Sequence, residues 1–178
     1  ARRWLRELAP DHPRRERIAD RLAEQALRGD ELAEAVRAAL EAKAYGRAER
    51  LMAVARQQQP RLIVRELRRV RTSIARGEAP LRRRLADGRE ALATEDWQAL
   101  AAALAAVDPD DHDRHTRALR EAHAALRHAA GSTAGPQLDR LLAQARDAIA
   151  NGAGRTARDT LATATPLALA LDRFDEIT

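Results

Sequence analysis

The sequence predicts an all-α fold, an array of about ten short antiparallel helices, and three observations predict it. Alanine supplies 42 of the 178 residues, and it is the best helix former because it loses no side-chain entropy on entering a helix. Strand formers are scarce, with five Val, five Ile, one Tyr and one Phe, so no segment has the β-branched and aromatic density of a sheet. Proline and glycine recur at intervals that cut the chain into pieces a few turns long. At this length the chain can bury a real core. Helices lined by alanine pack closely, but each buries less area than an aromatic-rich one.

Residues 1–8 read as a helix tail ended by Pro10 and Pro13. A helix follows from about Pro13 to Arg28, with Ile18, Leu22, Ala26 and Leu27 inward, and stops at Gly29. Asp30 can cap the next, which carries Leu32, Val36, Ala39 and Leu40 at helical spacing. Tyr45 and Gly46 turn the chain into a helix bearing Ala48, Met52 and Ala55, ended by Pro60. Over 61–76, Ile63, Leu67, Val70 and Ile74 form one apolar stripe. Gly77 ends that helix, and Pro80 opens another through Leu81, Leu85 and Leu92. Thr94 can cap the helix of Trp97, Leu100 and Leu104.

Asp108-Pro109-Asp110-Asp111 has the form of a helix start: a cap, a proline in the first turn, and acids at the positive end of the dipole. That helix is expected to run to Ala130. Residues 131–136, from Gly131 to Pro136, form the one segment open enough for a linker. It divides a helical-repeat region, 1–130, from a C-terminal hairpin and last helix, 137–178, continuous with the array. The hairpin splits near Asn151 and Gly152, and the last helix begins near Pro166.

Three blocks, 34–57, 86–109 and 143–166, align without gaps at offsets of 52 and 57. Arg37, Arg89 and Arg146 coincide, as do Ala39, Ala91 and Ala148. Leu40, Leu92 and Ile149 coincide, then Met52, Leu104 and Leu161, then Ala53, Ala105 and Ala162. Tyr45 falls on Trp97 and both on Gly154. Each block reads as helix, turn, helix.

The run Tyr45, Ala48, Met52, Ala55 and Pro60, preceded by Trp4 to Pro10 as the tail of an earlier unit, resembles the second half of a tetratricopeptide-repeat hairpin. An aromatic at the turn is followed by small, large and small residues and a closing proline. Small residues let helices approach, and the large one fills the groove between hairpins. The likeness covers about 30 residues, and the spacing of the blocks departs from the family's period of roughly 34. Such a degenerate tetratricopeptide-like array implies a solenoid or bundle that holds a peptide or protein and does no chemistry.

The net charge of +5 is concentrated. Residues 61–84 carry nine Arg against Glu66 and Glu78, whereas 85–178 are net acidic. On the 61–76 helix Arg61, Arg65, Arg68, Arg69 and Arg76 lie opposite the apolar stripe, and Arg82, Arg83 and Arg84 follow. Their forks suit carboxylates or phosphates. These eight are the candidate partner-binding residues, for an acidic protein or, as the alternative, for nucleic acid. The plainer reading is a solvated face in an Arg- and Ala-rich protein from a GC-rich bacterial genome. No aromatic interleaves with the arginines to stack bases, and no duplex-reading motif is present.

Other chemistry finds little support. His112, His115 and His123 would share a face of a helix begun at Asp108, but HExxH and a third ligand at i+4 are absent. Ser73 and Ser132 sit in no nucleophile elbow, and the glycines near Ser132 lack the lysine of a phosphate loop. No cofactor, metal or catalytic residue is expected. The chain has no cysteine, no basic-then-apolar leader opens it, and no apolar run approaches a bilayer span. A cytoplasmic interaction scaffold is the expectation.

Overall fold

A computed structural model describes residues 29–58 and 64–177, with the backbone alone at 64–66, and in addition Asp20, Ala23, Glu24 and Leu27. The helices expected at 1–8 and 13–28 lie outside the described residues apart from those four, as do Pro60, Arg61 and Ile63. Among the described residues the fold is all-helical: α1 (Gly29–Glu41), α2 (Tyr45–Gln58), α3 (Val64–Ala93), α4 (Trp97–Ala105), α5 (Arg117–Ala150), α6 (Gly154–Leu171) and a 3-10 turn at Phe174–Glu176.

The turns joining α1 to α2, α3 to α4 and α5 to α6 are one turn used three times. Lys43, Glu95 and Gly152 are left-handed, with φ of 56°, 58° and 71°. The next N–H reaches back five residues: Ala44 N to Ala39 O, Asp96 N to Ala91 O and Ala153 N to Ala148 O, each 2.8 Å. The left-handed residue's own N–H donates to Leu40 O, Leu92 O or Ile149 O, at 3.1, 3.4 and 3.0 Å. This pair of bonds satisfies carbonyls that a helix end leaves open. The turns fall at the offsets at which the sequence blocks align, and Ala39, Ala91 and Ala148 are all buried. α6 ends in the same way, with Asp172 left-handed and Arg173 N on Ala168 O at 2.9 Å. Phe174 then follows where Tyr45 and Trp97 follow.

The chain forms two compact units, one of residues 1–77 with His112–Thr116, the other of Glu78–Asp111 with Arg117–Thr178. In the first, α1 packs on α2 through Leu32, Val36, Ala48, Leu51 and Met52, with Ile74 closing the core. Leu67, Val70 and Tyr45 border it, as the stripe on 61–76 predicts. In the second, α6 packs on α5 and α4 over Leu85, Leu100, Leu119, Leu126, Leu138 and Leu167. Trp97 is buried in the same core.

Several boundaries differ from expectation, for stated reasons. Gly77 and Pro80 do not divide α3, Pro166 does not open a new helix, and the linker expected at 131–136 is helix inside α5. A mid-helix proline loses one bond to the carbonyl four residues back, at about 3 kcal/mol. For Pro80, Pro136 and Pro166 that carbonyl belongs to Arg76, Ser132 and Ala162, all exposed, so water can take it. Ala130, Ala134, Leu138, Leu142 and Ala145 keep the buried face of α5 continuous across the glycines, and burial outweighs propensity.

Two caps also move. Asp96, not Thr94, caps α4, accepting from Ala99 N at 3.0 Å, while the Thr94 hydroxyl donates to Glu90 O at 3.1 Å. The helix expected from Asp108 begins at Arg117. The Asp108 carboxylate instead accepts from Asp110 N at 2.9 Å, a local turn. The carbonyls of Asp113 and Arg114, which a helix would have used, accept from Arg47 N and Tyr45 N at 3.0 and 3.2 Å.

Because Gly131 lies mid-helix and exposed, with nothing within 4 Å of an added Cβ, Gly131→Ala is expected to stabilise the protein by about 0.5–1 kcal/mol. Urea unfolding of the two proteins measures this. A destabilised variant would mean that 131–136 is not helix in solution.

Candidate functional site

Of the eight candidate arginines, Arg61 lies outside the described residues and Arg65 is described only in its backbone. In the first unit Arg68, Arg69 and Arg76 are exposed on α3, with Arg71 beside them. On a helical wheel Arg69 and Arg76 fall about 20° apart, with Arg68 within about 100° of both. In the second unit Arg82, Arg83 and Arg84 are exposed. Arg82 reaches back one turn to the buried Glu78 at 2.9 Å. Arg68, Arg69, Arg76, Arg83 and Arg84 make no ion pair with a described residue.

Elsewhere arginines find carboxylates. Arg117 meets Glu121 at 2.6 Å, Arg127 meets Asp172 at 2.8 Å, and Arg173 meets Asp139 and Glu176 at 2.9 and 2.6 Å. All of these are surface pairs of small individual worth. The contrast with α3 is informative. There Arg68, Arg69, Arg76, Arg83 and Arg84 are exposed and pair with no carboxylate among the described residues, so their donors are open to a ligand.

One ionic cluster that the sequence reading did not single out lies in the first unit. Arg50 on α2 forks onto Glu24, Nε to Oε2 at 3.3 Å and Nη2 to Oε1 at 3.2 Å. Its Nη2 also meets Asp113 Oδ1 at 2.6 Å, and Nη1 donates to His112 O at 2.9 Å. Arg47 adds a second cation to Glu24 at 3.3 Å. Glu24 is only 5% exposed. Burial works against the charged guanidinium of Arg50, but the bonds from Glu24 and Asp113 outweigh it, so its pKa stands above the ordinary value. Gly46 lies beneath this cluster, where an added Cβ would run into the backbone oxygens of His112 and His115. The cluster therefore ties residues 112–116 to the start of α2.

The histidines do not form the helical face that the sequence suggests. His112 and His115 belong to the non-helical segment of the first unit, and His123 belongs to α5 in the second. Among the described residues no group of three His, Cys, Asp or Glu side chains could hold a metal ion. His123 is 3% exposed, with Nε2 at 3.1 Å from Leu104 O. A carbonyl only accepts, so Nε2 carries the proton and donates.

Burial holds the His123 pKa below 6.5, with Arg127 adding repulsion and the Leu104 bond opposing. The unfolded chain therefore takes up this proton first as pH falls. Stability is intact above about pH 6.5 and is lost progressively below it, until the folded form also protonates. A His123→Gln variant, which can still donate to Leu104 O, is expected to show a flatter loss between pH 6.5 and 5 in thermal melts. Parallel profiles would remove His123 as the cause.

No helix among the described residues is long and apolar enough to cross a membrane. Compared with known proteins, the chain matches no family model, no curated protein and no solved structure.

Proposed function

We propose that this chain is a non-catalytic scaffold of helical hairpins, resembling a degenerate tetratricopeptide-type solenoid, that binds an acidic protein segment through the arginines of α3. The observation that carries this reading is the set Arg68, Arg69 and Arg76, exposed and without a carboxylate partner among the described residues. Support for the hairpin array comes from the turn repeated at residues 43, 95 and 152 with the same two hydrogen bonds. An acidic protein suits these arginines better than single-stranded nucleic acid, because no aromatic stands among them to stack a base. Arg83 and Arg84 offer the same chemistry in the second unit.

Titration with polyglutamate and with duplex DNA, at low and near-physiological salt, tests the reading. Polyglutamate is expected to bind at both salts, and Arg68→Glu/Arg69→Glu/Arg76→Glu to weaken it by about tenfold or more. The variant should melt near the parent, since exposed substitutions move stability little. Tight DNA binding that collapses with salt would replace the protein partner with a phosphate backbone. If neither polymer binds at low salt, the arginines are a solvated face and the proposal fails.

A further inference from the structure

α1 and the part of α3 up to Gly77 belong to the first unit, and they carry opposite charge at the same spacing. On α1 the exposed Asp30, Glu34 and Glu41 fall within about 40° of arc, at about 100° per residue. On α3 the exposed Arg69 and Arg76 stand seven residues apart, as Glu34 and Glu41 do, which is about 10 Å along either axis. The backbone of Arg65 lies four residues ahead of Arg69, as Asp30 lies ahead of Glu34. An offset of 35 therefore lays one row on the other with both helices pointing the same way. The same offset sets Arg37, the one cation of α1, opposite the neutral and exposed Thr72. Asp30, Glu34, Glu41, Arg69 and Arg76 make no ion pair with a described residue. Glu41 also ends α1, where the helix dipole disfavours a carboxylate and no basic side chain stands in the last turn.

We infer that the acidic segment taken by the α3 arginines is α1 of a second copy of this chain. The inference rests on the proposal that these arginines bind an acidic protein segment, and it names that segment. Charge complementarity selects the occupant, and spacing selects the register. With the helices opposed, steps of four and seven would meet steps of seven and four, and the three positions would no longer coincide. The two rows are unlike faces, so the contact is heterologous: it leaves an acidic row open on one copy and a basic row open on the other. Exposed ion pairs are individually weak, so association rises with concentration and is screened by salt.

Sedimentation velocity of the whole chain, at up to about 0.5 mM protein to reach weak contacts, is the test. At about 20 mM salt the mean mass is expected to rise with concentration, and at about 0.5 M to return to that of one chain. Glu34→Arg/Glu41→Arg and Arg69→Glu/Arg76→Glu should each weaken association by about tenfold or more, because like charge then meets like. In equal mixture the two variants should associate again, since each supplies the row that the other lacks. All four positions are exposed, so both variants should melt near the parent. A mass that does not rise at low salt, undiminished association of either variant, or a mixture that stays monomeric would each overturn the inference. Polyglutamate separates it from the proposal beneath it. If the polymer binds and the chain does not self-associate, only the identity of the segment falls; if the polymer does not bind either, both fall.

Discussion

Replacing Gly46 with alanine is expected to cost about 3 kcal/mol and to lower Tm by about 9 °C. The methyl group would meet the backbone oxygens of His112 and His115, and no rotamer change can relieve a clash with main chain. Either α2 or the 112–116 segment must retreat. Retreat also breaks the bonds from Tyr45 N and Arg47 N to Arg114 O and Asp113 O, which satisfy donors at the start of α2. Gly131→Ala is the internal control, since the same chemical change is expected there to stabilise. Urea melts followed by circular dichroism compare the two. A Gly46→Ala protein within about 0.5 kcal/mol of the parent, the range of an ordinary surface change, would show that 112–116 does not dock on α2 in solution.

Arg50→Met is expected to cost about 3 kcal/mol, because it leaves the carboxylate of Glu24 buried without its fork. The bond to His112 O is lost as well, although Asp113, exposed at the rim, can turn to water. Arg47→Met should cost less than about 1 kcal/mol, since that cation is half-exposed and touches Glu24 through one nitrogen. Arg50→Lys should recover only part of the loss, because an ammonium cannot bridge two oxygens in a plane. The decisive protein is the double variant Glu24→Met/Arg50→Met. If the single loss comes from an uncompensated buried charge, removing both partners restores most of the stability. A double variant as unstable as the sum of the singles would rule out that cause.

What the sequence made legible was local. The start of α2 at Tyr45 and the break near Gly152 rest on residues within a turn of one another, and they stand where spacing puts them, whereas α4 is capped at Asp96, two residues past the cap expected at Thr94. The stripe of Leu67, Val70 and Ile74 also stands where spacing puts it. Proline and glycine misled wherever a buried face ran past them. At Pro136 and Pro166 the helix continues because its neighbours on the core side remain apolar, and at Pro80 because Ile74 and Leu85 are buried on either side of Glu78, which Arg82 neutralises. The acids at 108–111 misled for a different reason. The carbonyls just beyond them are used by α2, and no local pattern shows that. Arg50 was invisible as a site because Glu24 and Asp113 stand 26 and 63 residues away. His123 was visible as a histidine, but its protonated nitrogen is set by a carbonyl 19 residues off. The exposure of Arg68, Arg69 and Arg76 opposite the apolar stripe was legible because it needs only the period of the helix.

The docking of residues 112–116 on the start of α2 has a consequence in time. The first hairpin is complete as a helical pair once residue 58 is made, yet its opening turn and the Glu24–Arg50 fork are finished by atoms from some sixty residues later. A chain emerging from the ribosome at about 5–20 residues per second must therefore hold that hairpin open-ended for several seconds. During that interval the N–H groups of Tyr45 and Arg47 face water, and the Arg50 guanidinium has Glu24 without Asp113 beside it. Vectorial synthesis, which usually favours elements made early, here leaves this hairpin waiting for residues made after it.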